Sequence, residues 1–181
     1  MACDISLGRL EPCKDSSGGL KAVYFVNWGD IDYVTYGTGD QTDGIDEIIP
    51  PGGTGIINAY RYELKGNSSF TQTITSSREN GTTFFQQELA LTLKKLSITD
   101  NKQIKLLSYG RPQVIVEDNN GNFFYCGLEH GMDVTGGTIV SGAAMGDLSG
   151  YTLTLTGMEP VPANFLLNDL STTGFNVIIT D

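Results

Sequence analysis

Val114-Ile115-Val116-Glu117-Asp118-Asn119-Asn120-Gly121-Asn122-Phe123-Phe124-Tyr125 reads as two short strands joined by a tight turn. The flanking β-branched and aromatic side chains suit a pleated, packed surface. Asn120-Gly121 supplies residues that tolerate the positive φ of a hairpin turn. Outward from this hairpin, two-residue alternation recurs. Leu89, Leu91 and Leu93 alternate with Ala90, Thr92 and Lys94, and Tyr151, Leu153 and Leu155 with Thr152, Thr154 and Thr156. Tyr60 to Lys65 does the same with charged partners, as a strand with one buried and one wet face would. Lys21 to Trp28 and Ile31 to Tyr36 read as an earlier pair turned at Gly29-Asp30. Phe175, Val177 and Ile179 mark a last strand, open to pairing with a neighbour's sheet edge. The fold class expected is mainly β, an antiparallel β-barrel or sandwich.

Two segments depart from this rhythm. Ser97 to Tyr109 places Ile104 and Leu107 on one side with Lys102 and Lys105 on others. Thr99 or Asp100 can cap the first amides, Gly110 can stop the segment and Pro112 cannot continue it, so one flanking helix is expected at about 99–109. Gly37 to Gly55 (GTGDQTDGIDEIIPPGGTG) reads as a long loop carrying Ile45, Ile48 and Ile49. Long loops in compact domains are commonly functional. These isoleucines either dock onto another subunit or fold back over their own barrel, and the first reading makes them candidate inter-subunit residues.

The 181 residues and 19.5 kDa favour one domain, 1–181, with no internal repeat or linker. No run approaches the roughly 18 to 20 apolar residues that span a bilayer, so no membrane partner is expected. The start of the chain lacks a basic then apolar pattern, so a secretory signal is not expected. The formal charge is −10, and all 11 basic residues lie at or before Arg111. Pro112 to Asp181 holds eight acids and no cation, and Asp30 to Glu47 holds six acids and no cation. Phosphate contacts need cations, so a sequence-reading nucleic-acid binder is a poor fit.

The search for chemistry is negative. Cys3, Cys13 and Cys126 form no CxxC pair, and the single His130 does not complete a common zinc site with them. A Cys3–Cys13 disulfide is conceivable, with reduced thiols the better fit. His130 has no GxSxG partner, and on a strand it lies too far from Cys126 for a dyad, leaving a surface or turn histidine. The glycines of GGTIVSGAAMGDLSG (136–150) lack a phosphate-loop lysine and suit turns or close strand approach. Glu117 and Asp118 do not form a glycosidase pair, and Gly39 to Glu47 lacks the spacing of a calcium loop. No catalytic, metal or cofactor-binding residue is assigned, and an enzyme is not expected.

Asn80-Gly81-Thr82-Thr83-Phe84-Phe85-Gln86-Gln87, Arg111 to Gly121 (RPQVIVEDNNG) and Gly146 to Gly157 (GDLSGYTLTLTG) resemble virion structural proteins of tailed bacteriophages. In particular they resemble tail-tube proteins of phages that infect Bacteroidota. The resemblance implies a β-barrel or sandwich with one flanking helix, assembled as hexameric rings. Inner strands of such rings join into a continuous lumen wall, and a long loop touches the next ring. It also implies homo-oligomeric partners, further tail proteins such as tape measure, baseplate or sheath, assembly in the host cytoplasm and a final place in the virion tail. DNA would pass along an acidic wall without specific binding. A neck or tail-terminator ring is the nearest alternative. A glycan-binding β-sandwich, with Trp28 and the tyrosines as stacking platforms, is the alternative from another class.

Overall fold

A computed structural model of the chain describes residues 7–11, 13–170 and 175–179. The hairpin that decides the fold is present as β7 (Gln113–Asp118) and β8 (Phe123–Cys126), turned through Gly121 at φ 83°. Around it the chain builds a six-stranded sheet in the order β11-β8-β7-β1-β4-β12. The other members are β1 (Leu20–Val26), β4 (Ile57–Glu63), β11 (Asn164–Phe165) and β12 (Phe175–Ile178). A four-stranded sheet, β5-β6-β10-β9, packs against one face. It comprises β5 (Ser69–Ser77), β6 (Thr82–Lys94), β9 (Asp133–Val140) and β10 (Gly150–Glu159). A two-stranded ribbon, β2 (Tyr33–Tyr36) with β3 (Ile45–Ile49), completes the architecture. The protein is mainly β, a sandwich of open sheets flanked by one helix; the sheets do not close into a barrel.

Two cores lie on opposite faces of the six-stranded sheet. Val23, Phe25, Val114, Val116 and Cys126 meet Leu89, Leu91, Leu153 and Leu155 of the four-stranded sheet. Ala22, Tyr24, Val26, Ile115 and Tyr125 meet Ile45 and Ile48 of the ribbon, with Leu166, Leu170 and Phe175. Strands covered on both faces read as continuous apolar runs rather than as alternation. That is why Ala22-Val23-Tyr24-Phe25-Val26 is buried throughout.

The expected pairing of Lys21–Trp28 with Ile31–Tyr36 is corrected here. Both edges of β1 are taken, by β4 and by β7, so the chain leaves the sheet after Val26 and β2 pairs with β3 instead. The last strand is corrected too: β12 runs parallel to β4 and extends the protein's own sheet. The segment 37–55 is no open loop, since it holds β3 and a short 3-10 turn, Pro51–Gly53.

The helix α1 spans Ile98–Tyr109. Its cap is Ser97 rather than Thr99 or Asp100. Ser97 Oγ accepts from Asp100 N at 3.0 Å, and Ser97 Oγ donates to the Asp100 carboxylate at 2.5 Å. The Ser97 hydroxyl thus satisfies one orphan amide of the first turn and is itself held in place by the Asp100 carboxylate. Gly110 N donates back to Leu106 and Leu107 carbonyls and ends the helix as expected. Ile104 is buried in the first core and Leu107 packs against it.

Glu117 turns into the second core's margin, where it accepts from Lys21 Nζ and, at 2.7 Å, from the Tyr24 hydroxyl. Burial pushes the Tyr24 phenol up to about 12, and the neighbouring Glu117 carboxylate adds to the rise. A folded-state value above the unfolded one, about 10, stabilises the fold below pH 10 and is lost as pH rises toward 12. Burial raises Tyr36, Tyr62 and Tyr125 as well, so ultraviolet titration of the folded protein is expected to show a late group of phenols, and Tyr24→Phe to remove one of them. A Tyr24→Phe variant with an unchanged alkaline titration would refute the assignment.

Candidate functional site

The four-stranded sheet presents one face to the core and the other to solvent, and register fixes which residue faces where. Leu153 lies opposite Leu91 and Leu155 opposite Leu89, on the core side. The outer face is then Thr152, Thr154, Thr156 and Met158 of β10, with Gln86, Glu88, Ala90 and Thr92 of β6. On β9 the residues in step are Asp133, Gly136 and Thr138; on β5 they are Ser69, Thr71, Thr73 and Thr75. Hydroxyls dominate this face, and Thr138 and Thr152 hydroxyls meet across strands at 2.6 Å. Its central charges are the acids Glu88 and Asp133, and Lys94 stands at its end opposite Gly150.

Glycine makes the close strand contacts possible. A Cβ on Gly137 would lie 2.4 Å from Thr152 O, and one on Gly150 would lie 2.1 Å from Leu93 O. Both are backbone atoms that cannot swing aside, so Gly137 and Gly150 serve close strand approach, while Gly142 takes the positive φ of a turn at 75°.

Among the described residues, both terminal strands of this sheet, β5 and β9, pair on one side only. They are long, rich in Thr and Ser, largely exposed and almost free of charge within their length, with Asp133 the sole ionisable residue on either. Such edges are templates for pairing with another chain unless something blunts them.

The isoleucines predicted to reach a neighbour lie elsewhere. Ile45 is 0% and Ile48 1% exposed, both inside the protein's own second core. Ile49 is half-buried and sits opposite Tyr33 in the ribbon. The docking reading is therefore corrected for Ile45 and Ile48. The apolar underside of β1 and β7 needs a cover, and β3 supplies it.

His130 occupies an exposed turn and does not meet Cys126, which is fully buried. Burial pushes the Cys126 thiol well up, leaving it un-ionised. Cys13 is exposed, and Cys3 lies outside the described residues. Sequence reasoning missed the partner of His130. Glu159, at a core-facing register position of β10, is 1% exposed and draws the 127–131 turn onto itself. Its Oε1 accepts from Glu129 N at 3.2 Å and His130 N at 2.9 Å. Its Oε2 lies 3.3 Å from Glu129 N and 3.3 Å from His130 Nδ1. Gln87, the neighbouring core-side polar residue on β6, accepts from Gly127 N at 2.9 Å. Glu129, His130 and Glu159 bring ligand atoms within 4.8 Å of one another. The Glu159 carboxylate is nevertheless already engaged by two backbone amides, the Glu129 N–H shared between its two oxygens, so the cluster reads as a structural latch. A charged residue in the register Tyr151-Leu153-Leu155-Gly157-Glu159 was the signal that could have revealed it.

Trp28 carries the Arg111 guanidinium 3.9 Å from its ring centroid. Gly131 presses close as well, since a Cβ there would lie 3.1 Å from Trp28 Cε3. A face covered by a cation is not free to stack on a sugar ring, which weighs against the glycan-binding alternative.

No protein-family model, curated protein or solved structure matches the chain. The assignment of function therefore rests on geometry and on the sequence resemblance.

Proposed function

We propose that this chain is a self-assembling ring subunit of a phage tail tube, in which copies add β5 of one subunit to β9 of the next. The observation that carries this reading is the four-stranded sheet with two unpaired edge strands, one charge between them, and one hydroxyl-lined outer face. Its two edges differ, so pairing between copies is head-to-tail and generates a ring when the rotation closes. The outer faces of the joined sheets then form the inner wall. A wall of Thr, Ser and Gln with Glu88 and Asp133 offers DNA no mid-wall cation, and so no foothold for phosphate. This serves passage of a genome rather than its capture. The subunit assembles in the host cytoplasm and ends in the virion tail, stacked on further rings and contacting other tail proteins.

Electron microscopy of the concentrated protein is the test. Stacked rings or tubes with an axial channel are expected. Single rings that never stack would move the assignment to a neck or terminator role, and monodisperse monomer at every concentration would overturn ring assembly altogether.

A further inference from the structure

The two sides of the sandwich are finished differently. On the side of β9, α1 covers the gap between the sheets and inserts Ile104 into the core. On the side of β5, a groove of about 480 Å³ remains between the sheets, lined by Phe85, Phe124, Val161, Pro162 and Phe165, with Asp43 at its margin. Among the described residues, one gap has a helix over it and the other has none.

The outer surface of the helix side is apolar where it borders β9. Ile98 is 93% exposed, and Ile139 and Leu96 flank the same shallow depression. Leu106 is exposed further along α1. Charges sort in the same sense. Lys94 to Arg111 contains five basic residues and one acid, Asp100, which is bonded to Ser97. Gln41 to Gly44 line the groove's margin with Asp43 among them, and the stretch they belong to, Tyr36 to Glu47, carries Asp40, Asp43, Asp46 and Glu47 and no cation.

We infer that the groove beside β5 is closed by the helix side of a second copy of this chain, with Ile98 and Ile139 against the aromatic lining and Lys102 and Lys105 toward the Asp40–Asp43 turn. The inference rests on the ring reading and adds its chemistry: an acidic apolar mouth receives a basic apolar cap, in one direction only. Opposite charges on two different surfaces fix the orientation of encounter and disfavour mouth-to-mouth or cap-to-cap contact. Strand addition of β5 to β9 brings these same two sides together.

Reciprocal charge reversal tests it. One variant carries Lys102→Glu and Lys105→Glu; the other carries Gln41→Lys and Thr42→Lys. All four positions are exposed, so thermal melting of the subunit is expected to be unchanged. By sedimentation, each variant alone is expected to need about tenfold or more protein to associate, because like charges then meet. A one-to-one mixture is expected to associate near the wild-type concentration, since each mouth again faces an oppositely charged cap. Ile98→Ser, exposed in the subunit, is expected to weaken association without lowering its melting temperature. Variants that associate like wild type, or a mixture no better than its parts, would overturn the inference and leave the ring reading standing. Wild-type protein that stays monomeric throughout would overturn both.

Discussion

Ile48→Ser is expected to lower the stability of the isolated subunit by about 4 kcal/mol, the cost of deleting buried methyl groups plus that of placing a hydroxyl among them. Ile48 is 1% exposed and shares its cluster with Tyr24, Val26, Ile115 and Tyr125. The ribbon β2–β3 has few means of holding itself in place, because an isolated two-stranded ribbon is marginal in water. Its attachment comes from Ile45 and Ile48 under the central sheet, an Ile45–Leu166 bridge and the bond from Leu167 N to Ile45 O. Removing Ile48 leaves a void and an unmatched hydroxyl at the layer boundary, where the ribbon can peel while the four-stranded sheet stays packed. Chemical denaturation followed by far-ultraviolet circular dichroism reads the loss, and against a typical total of 5–15 kcal/mol the shift is large. An Ile48→Ser subunit that melts like wild type yet fails to assemble would return Ile48 to the surface and restore the docking role.

How much of this was legible follows from which faces are wet. Strands β6 and β10 have solvent on one side, so Leu89, Leu91, Leu153 and Leu155 alternate with polar partners and announce both strand and register. The helix carried its stop in Gly110 and Pro112, while its cap, Ser97, stands two residues before the Thr99 that the pattern suggested. The central sheet carried a different message. Ala22 to Val26 is apolar at odd and even positions alike, which demands cover on both faces and hence a further layer. That layer is the isoleucine segment 45–49. Read as a loop, it had no place to go, because the demand lies in β1 and β7, distant in sequence. The pairing of β2 failed for the same reason: strand partners are chosen by which edges remain free, and β1 had none. At the candidate site, hydroxyl-rich strands were visible as strands, but their exposure as one continuous face and two free edges depends on sheet order, which short-range pattern does not encode.

The assembly reading and the latch at Glu159 meet on β10, the strand next to the proposed edge. Glu159→Ala is expected to destabilise the subunit by about 2 kcal/mol, because it removes the buried acceptor that the Glu129 and His130 amides share and empties a fully buried position. Those two amides converge on one carboxylate from a turn that is also held by Gln87 at the Gly127 N–H, by Gln113 Nε2 at the Leu128 carbonyl and by its own Gly131 N–H to Gly127 O bond. Glutamine at 159 keeps an acceptor oxygen but aims an NH₂ at the same donors and gives up the charge, so its loss is expected to be about half as large. His130→Ala is expected to cost little, since the imidazole is mostly exposed and its contact to Glu159 is 3.3 Å. The order alanine, then glutamine, then the His130 variant separates a backbone latch from an ion pair. An ion pair would make His130→Ala as costly as Glu159→Ala and would weaken in salt. Urea unfolding of the three variants at two ionic strengths decides between them, and equal losses at 159 and 130 would refute the latch. If the latch holds, amides of the 127–131 turn are expected to lose exchange protection in Glu159→Ala while the outer strand β9 keeps its pairing to β10, because that pairing runs from Asp133 onward.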